Sequence, residues 1–215
     1  MRLYRLVAFL LRPAAWWGRL SVDGLEHLPA NGPLLVVANH DSQMDPVIVG
    51  IALLRRRQLR YLARANLWKI RGLGPILSGM GQIPLERGAG DRGALGKAEE
   101  ALAGGEAVCI FPEGKLSLGK RLRARSGVGW LARSCPETRV VLCAVTGTTD
   151  FVRVPRRPRV RVEVFEPAGG QPQADEEPAE LAERLLAELR ERVPPTAAGR
   201  RVRVSSASHP DSRFR

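Results

Sequence analysis

The segment Pro33-Leu34-Leu35-Val36-Val37-Ala38 is apolar without interruption and has the length of a strand. A run of this kind does not alternate, so it reads as a buried strand. Residues 107–111 and 140–145 read in the same way, the latter rich in valine. Further strand signals fall at 59–63, 83–85 and 160–165. Between them lie helical signals. Residues 46–54 open with a proline at the first helical position, and residues 91–102 stop at Gly104-Gly105. Residues 128–133 are a third helix, and a last one opens at Glu177-Pro178 with Leu181, Leu185 and Leu189 at four-residue spacing. Its acids come early and Arg190 and Arg192 come late, which suits the helix dipole. Strands alternating with helices predict an α/β fold, a layered sheet flanked by helices. No internal repeat is visible.

The chain has 215 residues, 44% hydrophobic and 26% charged, which excludes disordered and fibrous classes and fits one domain over 20–193. Three cysteines (Cys109, Cys135, Cys143) with no C-x-x-C argue against a disulfide scaffold or a zinc ribbon. They fit a reducing, cytoplasmic setting. Residues 194–215, mostly Pro, Ala, Ser and Arg, read as a disordered basic tail.

The formal net charge is +12. Seven acids against three bases in residues 169–192 are offset by five arginines and one acid in residues 193–215, so the whole excess lies on residues 1–168. Residues 55–71 carry seven bases and residues 115–133 six, neither with an acid. Such a body calls for an anionic partner: nucleic acid, a membrane surface or a phosphorylated substrate. With aromatics at 5% and no nucleic-acid motif, a basic nucleic-acid-binding protein is the weakest of the three.

No run reaches the ~18 apolar residues of a membrane-spanning helix. The longest near the start, residues 6–11, is also too short for a signal-peptide core. In helical register, Arg2, Arg5, Arg12 and Arg19 share one side of residues 1–19, and Leu3, Leu6, Val7, Leu10, Leu11, Ala14 and Trp17 the other. With Trp16 and Trp17 suited to the headgroup boundary, this predicts an N-terminal amphipathic interface helix, kinked at Pro13. An ordinary helix packed on the domain reads equally well.

The chemistry concentrates after the first buried strand, in Asn39-His40-Asp41-Ser42-Gln43-Met44-Asp45-Pro46. The carboxyl end of a strand is where α/β folds place ligand chemistry. On a regular helix His40 and Asp45 would not share a face, and Pro46 pushes Asp45 off helical geometry. A turn brings the carboxylate back onto the imidazole, where it would orient a general base; a plain helix cap at Asp45 fits the proline as well. There is no G-x-S-x-G nucleophile elbow, and with no second histidine or cysteine near His40 no metal site is expected. Two further strand ends carry charge: Gly81-Gln82-Ile83-Pro84-Leu85-Glu86-Arg87 and Phe111-Pro112-Glu113-Gly114-Lys115.

These three segments, in this order, resemble the glycerolipid acyltransferase family, which includes the 1-acylglycerol-3-phosphate acyltransferases. The family's N-H-x-S-x-x-D block matches residues 39–45, its G-x-I-P-[IV]-[DE]-R block residues 81–87, and its F-P-E-G-[ST]-R-S block residues 111–117 in part; Arg125-Ser126-Gly127 matches a following basic-x-Gly step. The resemblance covers roughly residues 20–168. It implies that His40 is the general base and Asp45 its orienter, that Arg87 binds an acceptor phosphate, and that Ser42, Glu86, Glu113, Gly114, Lys115 and Arg125 help bind substrate. Backbone N–H groups of the third block would help hold the oxyanion. The implied reaction moves a fatty acyl group from acyl-CoA or an acyl carrier protein to 1-acyl-sn-glycerol-3-phosphate, giving phosphatidic acid, with no cofactor and no metal. Another lysolipid or a glycolipid hydroxyl is the alternative acceptor. The implied location is the cytoplasmic face of the cell membrane, peripheral or monotopic. Leu116 stands where the family usually carries arginine, and Lys115 where it carries Ser or Thr, so Lys115 is a candidate substitute charge.

Overall fold

The computed structural model describes residues 2–86 and 92–198. Five strands share one direction: β2 (Leu34–Ala38), β3 (Leu59–Arg64), β4 (Ile83–Leu85), β5 (Ala107–Ile110) and β6 (Arg139–Thr146). Together with β1 (Ser21–Asp23) and β7 (Arg161–Phe165) they form one sheet in the order β1-β7-β6-β2-β5-β3-β4. β7 runs antiparallel to β6, and β1 follows β7 in parallel. Among the described residues there are also six α-helices: α1 (Arg2–Trp17), α2 (Asp45–Leu53), α3 (Leu73–Gly79), α4 (Arg92–Ala103), α5 (Gly127–Ser134) and α6 (Pro178–Arg192).

The predicted layers are present. β2 lies at the sheet centre with every residue buried. Leu35 and Val37 meet Val108 of β5, Val140 and Leu142 of β6, and the apolar faces of α4, α5 and α6. Leu34, Val36 and Ala38 point the other way, towards Ile48, Val49 and Leu53 of α2. Each such fully buried branched side chain contributes about 1.5–3 kcal/mol. Both faces being covered is the reason these strands are apolar at every position.

α1 packs on the domain and also leaves an apolar face uncovered. Tyr4 and Ala8 are buried, with the Tyr4 hydroxyl close to Gly50 of α2. Burial pushes the Tyr4 phenol up to about 12. The opposite side carries Leu6 (54% exposed), Phe9 (63%), Leu10 (64%) and Trp16 (69%), with Arg2, Arg5 and Arg12 exposed beside them. The predicted N-terminal helix is thus present: a Tyr4–Ala8 seam seats it on the domain, and its apolar and basic residues share the outer surface. Pro13 lies inside the helix.

The basic run of residues 55–71 is not one face. Arg57 is 8% exposed and donates to the carbonyls of Pro29, Gly32 and Gly105, at the amino ends of β2 and β5. Arg60 pairs with Glu106 at 2.7 Å at that same end. Of the run, Arg64 ends β3, and only Lys69 and Arg71 follow its carboxyl end. Of the expected 194–215 tail, residues 199–215 lie outside the described residues.

Candidate active site

β2 ends at Ala38, and the chain then turns through residues 39–44 into α2. Asn39 anchors the start of the turn. Its amide donates to the Val145 carbonyl at 2.9 Å and accepts the Val145 N–H at 2.7 Å, extending the β2–β6 pairing by one side chain. His40 has the parity of Leu34, Val36 and Ala38, so its ring faces the α2 side. There it stacks on Phe111, ring centres 4.4 Å apart. Phe111 in turn stacks on Tyr61 of β3.

Asp45 is the first residue of α2 and is fully buried, yet its carboxylate does not cap that helix. It points back over the turn. One oxygen, Oδ2, accepts the N–H groups of Asp41 and Ser42, both at 2.7 Å, and lies 3.2 Å from His40 Nδ1. The other, Oδ1, accepts the Thr148 hydroxyl at 2.5 Å. Because a carboxylate only accepts, the imidazole donates from Nδ1, which leaves Nε2 as the acceptor nitrogen. The turn thus brings together the His40 and Asp45 side chains whose spacing excluded a shared helical face. Ser42 Oγ donates to the Thr148 carbonyl and accepts the Met44 N–H, so it belongs to the internal bonding of the turn.

The β5 loop closes on the same place. Glu113 is 2% exposed, and its Oε2 accepts the His40 N–H at 3.0 Å. The Ser117 N–H donates to the His40 carbonyl at 2.8 Å, and Ser117 Oγ donates to Asp41. The backbone of His40 is therefore held on both sides by residues 113–117. Gly114 takes a left-handed turn at φ 65°, and its N–H donates to the Phe111 carbonyl. The N–H groups of His40, Asp41 and Ser42 are likewise taken. These four backbone donors are thus used for holding the loop. Lys115 and Arg125 are exposed beyond this turn, and Glu86 is exposed at the end of β4. Arg87 lies outside the described residues.

One group here was invisible as a site residue in the sequence. Arg190, from the last turn of α6, is 5% exposed and sits between Asp41 and Glu113. It is buried in the site, where the sequence placed it as a charge serving the helix dipole. The signal was a second stripe: Ala182, Leu186 and Arg190 follow the same four-residue spacing as Leu181, Leu185 and Leu189, and all six are buried. Burial pushes the Glu113 carboxyl up from its ordinary value, against the pull of Arg190. Removing one member of a buried ion cluster of this kind costs about 3–5 kcal/mol. Thr148 was missed for a different reason, being 103 residues from the Asp45 it binds.

No thiol competes for the chemistry. Burial pushes the Cys109 thiol well up, and burial with the nearby Asp45 holds the Cys143 thiol at about 12. Among the described residues no group of His, Cys, Asp and Glu is placed to hold a metal ion.

The family model named Acyltransferase matches residues 19–148, which is more than half of the chain and contains the turn, β5 and β6. The chain belongs to the acyltransferase family. Among curated relatives, an uncharacterized protein of Mycobacterium leprae is 30% identical over 148 residues, covering 63% of this chain and 38% of the relative. The 1-acyl-sn-glycerol-3-phosphate acyltransferase of Bacillus subtilis is 27% identical over 97 residues, covering 45% of this chain and 48% of that enzyme. The chain thus spans less than half the length of these curated relatives. Among solved structures, the 1-acyl-sn-glycerophosphate (LPA) acyltransferase PlsC of Thermotoga maritima superposes with a TM-score of 0.69, at 23% identity, over 88% of this acyltransferase and 78% of PlsC. At that identity the likeness is one of fold.

Proposed function

We propose that this acyltransferase moves a fatty acyl group from a thioester of coenzyme A or an acyl carrier protein to the free hydroxyl of 1-acyl-sn-glycerol-3-phosphate, forming phosphatidic acid. The observation that carries the reading is the His40–Asp45 pair, 3.2 Å apart at the carboxyl end of the central strand, with Nε2 free to accept a proton. The acceptor hydroxyl gives its proton to Nε2 as its oxygen bonds to the thioester carbonyl carbon. The tetrahedral adduct then collapses. The carbon–sulfur bond breaks, and the departing sulfur takes the proton back from Nε2 as the free thiol. Asp45 stabilises the imidazolium between those two transfers. Transfer is direct, because Cys109 and Cys143 are held protonated and the Ser117 hydroxyl is committed to Asp41. The test is thiol release from acyl-CoA by the wild type, measured with a panel of lysophosphatidate, other lysophospholipids and a glycolipid. Release that depends on lysophosphatidate supports the reading; release with none of the acceptors overturns it.

Anionic recognition falls to the exposed cations past the β5 end, Lys115 and Arg125. Lys115 takes the place of the arginine that Leu116 lacks, as a point charge on the acceptor phosphate. Lys115→Ala is expected to raise the KM for lysophosphatidate severalfold while kcat holds, measured by steady-state kinetics. An unchanged KM removes Lys115 from the phosphate site.

The outer face of α1 fits a bilayer surface. No helix among the described residues is long and apolar enough to cross a membrane. Phe9, Leu10 and Trp16 are exposed beside three arginines, and Arg157 from the segment after β6 stacks on Trp16 at 4.3 Å. That segment also exposes Val152 and Val154. Deleting α1 would strip Tyr4 from the core, so the clean test is Phe9→Ser, Leu10→Ser and Trp16→Ser together. Flotation with phosphatidylglycerol vesicles is expected to fall at least about tenfold, since each buried apolar side chain contributes ~1.5–3 kcal/mol. Flotation equal to wild type would place the membrane contact elsewhere.

A further inference from the structure

Arg190 has five N–H donors, and each has a protein partner. Nε donates to Glu113 Oε1 at 3.1 Å, and Nη2 to Glu113 at 2.6 and 2.7 Å and to Asp41 Oδ1 at 2.9 Å. Nη1 donates to Asp41 Oδ2 at 2.9 Å and to the Val193 carbonyl at 3.2 Å. No donor is left for a substrate. What the two carboxylates do next is specific: Glu113 accepts the N–H of His40, and Asp41 is the residue that follows His40 and whose own N–H binds Asp45. The side chain of Asp41 also accepts Asn39 Nδ2 and Ser117 Oγ, the two residues that tie the turn to β6 and to the β5 loop. One guanidinium therefore joins β2, the β5 loop and α6 at a point one bond removed from the histidine backbone on each side.

We infer that Arg190 is a positioning residue for the acyl transfer: it clamps Asp41 and Glu113, and through them fixes the His40 ring in register with Asp45 and the substrate hydroxyl. The inference rests on the reading of His40 as the general base. A fixed guanidinium fork suits the task because it meets two carboxylates in one plane, whereas an ammonium offers a point charge. α6 supplies a built-in contrast. Arg184 makes the same kind of pairs with Glu176 and Glu188, but its side chain is 25% exposed and touches nothing in the site.

The experiment uses the full chain with Arg190→Met, Arg190→Lys and the control Arg184→Met. Three readouts are taken: kcat and KM for acyl-CoA and lysophosphatidate, the melting temperature, and the ring nitrogen shifts of His40 in ¹⁵N-histidine-labelled protein, assigned by His40→Ala. In Arg190→Met, kcat is expected to fall about 10²-fold, the scale of a small misplacement of a catalytic group. Both KM values stay within about twofold, because Arg190 has no donor free for substrate. The His40 ring nitrogens are expected to shift from a single Nδ1-protonated form to a mixture of tautomers. Arg190→Lys is expected to recover part of kcat, and Arg184→Met to leave kcat and the ring shifts unchanged. A folded variant at position 190 with kcat within twofold of wild type and unaltered ring shifts overturns the inference. So does a loss confined to melting temperature, or a rise in KM alone. If Arg190→Met does not fold, Arg190→Lys decides by the same criteria. The ring shifts are read without substrate. A wild type inactive on every acceptor, with a ring tautomer that still depends on Arg190, would sink the functional reading and leave the positioning role standing.

Discussion

Replacing His40 by alanine is expected to lower kcat by about 10² to 10⁴-fold, the range that a positioned general base supplies. Thiol release under saturating acyl-CoA and lysophosphatidate measures it. The KM for either substrate is expected to change little, since the imidazole acts on the hydroxyl proton during the chemical step. Asp45→Asn separates the charge from the geometry. The asparagine carbonyl can take the place of Oδ2, accepting from Asp41, Ser42 and His40, while its amide faces the Thr148 hydroxyl, which rotates to accept. The turn is thereby kept and the negative charge beside the imidazole is lost, so kcat is expected to fall about 10²-fold with the melting temperature nearly unchanged. A His40→Ala enzyme with wild-type kcat would remove the imidazole from the reaction. With Cys109 and Cys143 protonated and Ser117 bound to Asp41, no other described group at this turn is ready to take its place.

How far the sequence revealed this arrangement depends on how local each cause is. β2, β5 and β6 were visible because burial on both faces leaves a mark on every residue. α2 was visible because Pro46 fixes its first turn. β1 was missed: it has three residues, only its middle one is half-buried, and it sits at the sheet edge. α3 was missed because Gly74, Pro75 and Gly79 are poor helix formers, and the contacts of α3 with α1 and the preceding 3-10 turn override that preference. The His40–Asp45 contact followed from a proline and a spacing. The partners that hold it did not. Thr148, Glu113 and Arg190 reach the turn from the segments after β6 and β5 and from α6; the residues next to them mark Glu113 as charge at a strand end and Arg190 as buried, but not which groups they bind. Glu113 and Gly114 drew notice as candidate substrate ligands. Their bonds to His40, Arg190 and Phe111 also tie them to the turn itself.

The same long-range dependence makes Gly129→Ala a severe substitution. Gly129 lies inside α5, in ordinary helical register, where alanine is by itself the better helix former. Its Cβ would stand 1.9 Å from the Pro178 carbonyl oxygen and 2.6 Å from the carbonyl carbon. Both atoms are backbone at the start of α6, so no side-chain rotation relieves the clash, and the two helices must separate. Overpacking of this kind costs about 1–3 kcal/mol or more. At roughly 2–4 °C per kcal/mol for a chain of this size, the melting temperature is expected to fall by about 5–10 °C. Gly96→Ala in α4 is the matched comparison, because a Cβ there meets nothing within 4 Å. It is expected to raise stability by about 0.5–1 kcal/mol through helix propensity alone. Thermal melts of the two variants therefore move in opposite directions if close helix contact, and not glycine content, sets the tolerance. A Gly129→Ala protein melting with the wild type would mean that α5 and α6 are free to part. The effect also reaches the site. Arg190 sits twelve residues along α6 from Pro178, roughly 18 Å at 1.5 Å per residue. A tilt at Pro178 is thus carried to the guanidinium that holds Asp41 and Glu113. Gly129→Ala is expected to lose kcat at temperatures well below its own melting point, and Gly96→Ala to keep it.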